Sequence, residues 1–99
     1  MAQKTIVYWR DIPAQVLVKA GRKTARRELP ARFIQAIDRC AMSIGAKDSD
    51  AYLAEWRRGD PESVGDDLEH EADAAAAKLE ADYTPERLKA LVTAGGHAT

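Results

Sequence analysis

Residues 5–20 read TIVYWRDIPAQVLVKA, and this stretch decides the fold. Residues 5–10 are rich in β-branched and aromatic side chains, which pack well on a pleated sheet and predict a strand. Pro13 has no amide proton to donate, so it interrupts the backbone hydrogen bonds that follow. Two valines then share one face of a second predicted strand, over 15–20. The chain therefore begins with two strands joined by a short turn.

The first predicted strand is apolar on both faces. Ile6 and Tyr8 alternate with Val7 and Trp9, whereas a strand with one face in water alternates apolar with polar residues. Both faces therefore require cover, which either helices of the same chain or a second copy of the chain would supply. A homodimer is one of the two arrangements that this pattern allows.

The next elements are a hairpin return and the most regular helix of the chain. Gly21 marks a turn, after which 23–29 reads either as a third strand or as a loop. Pro30 suits the first turn of a helix, where its missing amide proton costs nothing, and we predict this helix over 30–44. Its apolar stripe recurs at spacings of three and four and consists of Phe33, Ile37, Cys40, Ala41 and Ile44, widened by Ile34.

Three more helices are predicted, over 50–58, over 66–82 and from Thr84 onward. Arg57 and Arg58 end the first of them with cations, which the negative end of a helix dipole favours. The helix over 66–82 carries mainly alanines on its apolar stripe, and these supply little apolar area. We therefore expect that helix to lie at the periphery.

These elements predict an α+β domain, with a small N-terminal antiparallel β-sheet of two or three strands packed by three to four helices. The core comprises residues 1–58. Residues 59–65 contain a proline and two glycines and read as a mobile linker, and 66–99 form an acidic helical extension that packs on the same domain. A chain of 99 residues is long enough for one hydrophobic core.

The charge is divided between the two halves of the chain. Residues 1–47 carry ten Lys and Arg against three acids, giving +7, and residues 48–99 carry five against thirteen, giving −8. Each half projects a field that attracts partners of the opposite sign. The alternative is that the halves neutralise each other within the fold.

Several classes of protein are excluded or disfavoured by the composition. The longest apolar run near the start, 6–9, is too short for a secretory signal, and no run approaches the ~20 residues of a membrane span. Cys40 is the single cysteine, so no internal disulfide forms. We expect a cytoplasmic protein that does not bind membranes.

No motif in the chain specifies a reaction, and we expect a protein that is not an enzyme and carries no metal and no cofactor. His70 lies four residues after Asp66, a spacing that suits two metal ligands on one helical face. Acidic first turns are favoured by the helix dipole in any case, and two further ligands are missing. Cys40 falls on the apolar stripe of a helix, which favours an inert buried thiol, and His97 lies in the tail without a scaffold.

A basic cluster is the best candidate for a binding site. Its guanidinium groups suit carboxylates or phosphates, and Tyr8 or Trp9 on the neighbouring sheet suits stacking on a base. An acidic protein surface is the partner we favour, and RNA or single-stranded nucleic acid is the alternative. A solvated hairpin tip, or neutralisation by the acidic helix of the same chain, would explain the cluster without a partner. The cluster spans eleven residues and consists of Arg22, Lys23, Arg26, Arg27 and Arg32.

Two charged residues, Arg10 and Asp11, interrupt the apolar first strand at its end. They either form a half-buried pair that fixes the turn or contact a ligand. We include them, with Trp9, among the candidate partner-binding residues.

Several segments together resemble the small bacterial proteins labelled "virulence factor". These segments are YWRDIPAQV over 8–16, Gly21-Arg22, Leu29-Pro30 with Arg32-Phe33, 36–39 with Ala41-Met42, and 49–50 through Tyr52-Leu53 to Trp56-Arg57. The resemblance extends from about residue 5 to residue 58 and leaves the acidic third helix and the tail outside. The same domain is similar to a segment of the staphylococcal protein called conserved virulence factor C.

The resemblance implies an accessory or regulatory module and brings no catalytic residues with it. It also implies a context in folate and corrinoid one-carbon metabolism, and no residue of this chain supports that context by itself. Residue patterns and resemblance together predict a non-catalytic protein-interaction module that docks an acidic partner through its basic hairpin.

Overall fold

A computed structural model describes residues 2–45 and 49–96 of the chain. The α+β class is confirmed, and the sheet has five strands where two or three were predicted. In chain order the elements are β1 (Ala2–Trp9), β2 (Ile12–Ala20), β3 (Lys23–Glu28), α1 (Ala31–Ser43), α2 (Ser49–Ala54), β4 (Trp56–Arg58), β5 (Glu62–Val64), α3 (Leu68–Asp82) and α4 (Pro85–Thr93).

The sheet is antiparallel throughout, and β1 lies at its centre. The order is β3-β2-β1-β4, and β5 also pairs with β1. Both hairpins have two-residue turns with a positive φ at the first position, where glycine is usual. Gly21 fills that position between β2 and β3 with φ +59°, whereas Arg10 fills it between β1 and β2 with φ +54°. A non-glycine residue there is strained and needs contacts that hold it in place.

The two short strands β4 and β5 form one interrupted edge along β1. Trp9 pairs with Trp56 at one end of β1, and Ala2 pairs with Val64 at the other. The predicted linker 59–65 therefore contains a strand, and Trp56-Arg57-Arg58 forms a strand rather than the predicted helix end. The reason is that the free edge of β1 supplies backbone partners that the local sequence pattern does not reveal.

One face of the sheet is covered by α3. Val16, Val18 and Ala25 are buried on this face, and α3 buries the small side chains Ala72, Ala75 and Ala76 beside them. The expectation that this helix is peripheral was wrong. Alanines supply little area, but they let a helix approach a sheet closely, so α3 forms part of the core.

The helices α1 and α4 complete the core. The predicted stripe of α1 is buried at Phe33, Ile37, Cys40 and Ala41, while Ile44 and the flanking Ile34 are exposed. The ring of Phe33 lies 6.2 Å from that of Tyr83, just before α4, and a Cβ on Gly96, just after α4, would lie 3.1 Å from the Cys40 sulfur. The two helices therefore run side by side in the same direction.

The opposite face of the sheet is open over most of its area. Cross-strand pairs on this face join Val7 to Gln15 and to Arg58, and Leu17 to Thr5 and to Arg26. None of these residues is buried, and Val7 and Leu17 are only half-buried. The predicted need for cover on both faces of β1 is thus met only in part, since Ile6, Val7 and Tyr8 are all half-buried and Trp9 alone of the four apolar residues is fully buried. None of the described helices has the length and the apolar composition that a membrane span requires.

We expect Gly96→Ala to destabilise the fold by about 2 kcal/mol, because it adds steric overlap to a strained φ. The new Cβ would lie 2.9 Å from Cδ of Arg10, and φ at this position is +89°. Gly21→Ala is the matched control, since φ is +59° there and no atom lies within 4 Å of the new Cβ. Urea unfolding should show the smaller loss, about 1 kcal/mol, for the control. Equal losses would contradict the packing of the chain end against Arg10.

Candidate functional site

In the structure, some cations of the predicted basic cluster form contacts within the fold and others are exposed to solvent. Arg27 belongs to the first group, because its guanidinium forms ion pairs with Glu69 and Asp73 on α3. The hydrogen bond that Arg27 donates to Asp73, followed by the one that it donates to Glu69, raises the pKa of Arg27. The carboxylates of the acidic helix α3 therefore neutralise the charge of Arg27.

Arg32 is also held within the fold. Its Nη2 donates a hydrogen bond to the carbonyl oxygen of Glu80 at 2.9 Å, and its guanidinium lies over the ring of Phe33 at 4.9 Å. It projects from α1 and not from the β2–β3 hairpin. The structure therefore separates Arg32 from the other four members of the predicted cluster.

The remaining three cations, Arg22, Lys23 and Arg26, are exposed. Within residues 2–45 and 49–96, their side chains form no ion pair and no hydrogen bond. Two exposed cations of the open face, Lys19 and Arg58, extend this surface across the sheet. Lys23 pairs with Ala20 and therefore projects from the α3 side of the sheet. We call the other four residues, Lys19, Arg22, Arg26 and Arg58, the basic surface.

The layout of the basic surface follows from the strand pairing. Arg26 lies opposite Leu17, and Arg58 lies opposite Val7, so a cation flanks each of the two half-buried apolar residues. Arg58 on β4 and Arg26 on β3 are three strand spacings of about 4.8 Å apart across the sheet and two residues apart along it, so their backbones are separated by roughly 16 Å. Glu28, opposite Gln15, contributes one negative charge to the same face.

Sequence reasoning missed Lys19 and Arg58 as site residues. Alternation along β2 would have placed Lys19 beside Leu17 on one face, so that signal was present. Arg58 had no such signal, because its segment was predicted as a helix. Its place on the open face depends on pairing with Val7, which is 51 positions away in the chain.

The aromatic residues proposed for stacking are not on the basic surface. Trp9 is fully buried, and its indole N–H donates to the carbonyl oxygen of Tyr52 at 2.9 Å. Tyr8 is half-buried and covered by the guanidinium of Arg57, 4.6 Å from its ring centre. Contact of Trp9 with a partner was therefore wrong as a prediction, because the indole is part of the core.

Arg10 and Asp11 fix the turn, but through other residues and not through each other. Arg10 pairs with Glu55, and its Nη1 donates to the carbonyl oxygen of Gly95 at 2.6 Å. Asp11 accepts a hydrogen bond from Nη2 of Arg57 at 2.8 Å. These contacts explain how Arg10 tolerates a positive φ, and they leave both residues engaged within the fold.

The groups considered for chemistry have structural roles. Asp67 caps α3 by accepting a hydrogen bond from the backbone N–H of His70, and the described residues hold no group of three or more potential metal ligands. Cys40 is buried, and desolvation raises the pKa of its thiol, opposed more weakly by the nearby charge of Arg10. A buried neutral thiol is a poor nucleophile. His97 lies outside the described residues.

Comparison with known proteins identifies one family. A family model described as "Virulence factor" matches residues 7–92. No curated protein and no solved structure matches the chain. The match corrects the extent of the resemblance, since it includes α3 and nearly all of α4, which the sequence patterns had left outside. The burial of α3 against the sheet gives the physical reason, because the domain has no complete core without it.

We expect Cys40 to react with a disulfide reagent at least ~100-fold more slowly in the native protein than in denaturant, because opening of the fold must come first. Absorbance of the released thiol measures the rate. Gly96→Ala, which crowds the same sulfur, should increase the native rate, and fast labelling of the unaltered protein at neutral pH would contradict the assignment.

Because the folded state favours the neutral thiol, stability should fall as the pH rises through the pKa of the unfolded thiol.

Proposed function

The chain belongs to the virulence factor family, and from this premise we propose that it is a non-catalytic interaction module that docks an acidic protein partner through its basic surface. The family description specifies no reaction, and we place the protein among accessory or regulatory components of the cytoplasm. A link to one-carbon or corrinoid metabolism is the context we propose, on the resemblance alone.

The observation that supports this proposal is a set of exposed cations whose side chains form no ion pair and no hydrogen bond with any residue that the structure describes. Arg27 shows that carboxylates of α3 can reach β3, and among the described residues of the hairpin it is the one that pairs with them. Arg22 and Arg26 stay in solvent, and Lys19 and Arg58 add two charges on the same open face as Arg26. Lys23 is exposed too, but on the α3 side of the sheet. Guanidinium groups bind carboxylates in a planar two-bond geometry, so an acidic surface is their natural partner.

The composition of the open face favours a protein over nucleic acid. Val7 and Leu17 offer apolar contact at its centre, as the core of a protein interface does. Binding of single strands relies on exposed aromatic rings that stack on bases, and Trp9 and Tyr8 are withdrawn from this face. Nucleic-acid binding through the same cations therefore stays the second proposal, supported by charge alone.

The charge of the basic surface also bears on self-association. Two copies that paired through their open faces would bring Arg26 and Arg58 of one copy against those of the other, and like charges at an interface are unfavourable. A homodimer, if formed, therefore uses another surface. Light scattering of the pure protein tests this directly.

We expect the double substitution Arg22→Glu with Arg26→Glu to abolish capture of the acidic partner from an extract of the native cell. The melting temperature should change by less than about 2 °C, because both side chains are exposed and free of contacts in the described structure. Quantitative mass spectrometry of the captured proteins is the measurement.

The matched control is Arg39→Glu with Lys89→Glu, which lowers the net charge by the same four units on α1 and α4. Capture by this control should persist. If both variants lost capture equally, the loss would be due to net charge alone, and this would contradict a defined docking surface. Nuclease treatment of the extract separates the second proposal, since binding that disappears with nucleic acid and weakens steeply with salt would support it instead.

A further inference from the structure

A groove of about 390 Å³ lies between α1 and α4, away from the basic surface. Its lining repeats at spacings of three and four on each helix, so it follows one stripe of α1 and one stripe of α4 for about two turns, or roughly 10 Å. The lining residues are Arg32, Gln35, Ala36 and Arg39 on α1, and Pro85, Leu88, Lys89, Val92 and Thr93 on α4.

The rim of the groove is cationic and its floor is apolar. Arg32, Arg39 and Lys89 line it and none of the lining residues that the structure describes is acidic, while Ala36, Leu88 and Val92 form an apolar base. Arg32 is held in position by the carbonyl oxygen of Glu80 and the ring of Phe33, and its buried Nε has no hydrogen-bond acceptor. Three cations that line one groove repel one another, and an anion bound among them relieves that repulsion.

We propose that this groove binds a small organic anion, with a carboxylate or phosphate head held by the cations and a short apolar body resting on the floor. The volume falls within the range of small-ligand sites, about 300–1,000 Å³. The side-by-side direction of the helices places Lys89 at a level between Arg32 and Arg39, so two cations can contact one head group. Neither the family description nor the proposed docking surface assigns this site.

A small anion fits better than a partner helix. A stable protein interface buries about 800 Å² on each partner, whereas this groove extends for two helical turns and its floor residues Ala36 and Leu88 are themselves mostly buried. The exposed apolar area is therefore sufficient for a few carbon atoms. The polar rim then supplies the specificity that the small floor does not.

The test is a titration of the full chain with hexyl phosphate and, separately, with hexanoate, followed by the backbone amide signals of α1 and α4 in NMR spectra. We expect saturable shifts at Ala36, Leu88 and Val92, with a dissociation constant of roughly 1 mM for ligands of this size. The two titrations distinguish a phosphate from a carboxylate head. Hexanol and inorganic phosphate serve as controls for the body and the head alone.

Arg39→Gln with Lys89→Gln should weaken binding about tenfold while leaving the melting temperature unchanged, because both side chains are exposed. Arg32 is left intact, since it also supports the fold. Binding of hexanol as tight as that of hexyl phosphate, the absence of saturation, or full binding by the double variant would overturn the proposal. So would displacement of hexyl phosphate by an acidic helical peptide that binds more tightly.

The outcome is separable from the docking proposal. Arg22→Glu with Arg26→Glu should lose the protein partner and keep hexyl phosphate binding, whereas Arg39→Gln with Lys89→Gln should do the reverse. Loss of both activities in either variant would contradict two independent sites.

Discussion

The structure depends on the side chain and backbone of Arg10, which connect four parts of the chain at one turn. The guanidinium pairs with Glu55 after α2 and donates to the carbonyl oxygen of Gly95 after α4. Its backbone N–H donates to the carbonyl oxygen of Glu55 at 3.0 Å, and its own carbonyl oxygen accepts from Nε of Arg57 at 2.9 Å. A strained φ at this position is tolerated because these contacts act together.

This connection changes what the most specific family motif means. Tyr8-Trp9-Arg10-Asp11 reads in the sequence as a set of exposed aromatic and charged groups suited to a ligand. In the fold, Trp9 is core, and Arg10 and Asp11 hold β4 and the chain end against the hairpin. The motif therefore specifies assembly of the domain, and the surfaces that we propose for binding lie elsewhere, on the open face of the sheet and between α1 and α4.

The division of charge along the chain is only partly cancelled by folding. The alanine stripe of α3 brings the helix close to β2 and β3, and this proximity lets Glu69 and Asp73 reach Arg27. The same approach leaves Arg26 on the other face of β3, because successive side chains of a strand point to opposite sides. One residue of offset thus separates a cation that forms ion pairs within the fold from a cation that is exposed to solvent.

The sequence by itself determined the α+β class, the first hairpin, the buried stripe of α1 and the burial of Cys40, because each follows from periodicities over a few neighbouring residues. Only the tertiary structure decided that 56–58 and 62–64 are strands, that Trp9 is core, and which arginines stay free. These outcomes depend on pairs far apart in the chain, such as Arg27 with Asp73, separated by 46 positions. Local sequence patterns do not indicate which strand edge or which carboxylate will lie nearby once the chain is folded.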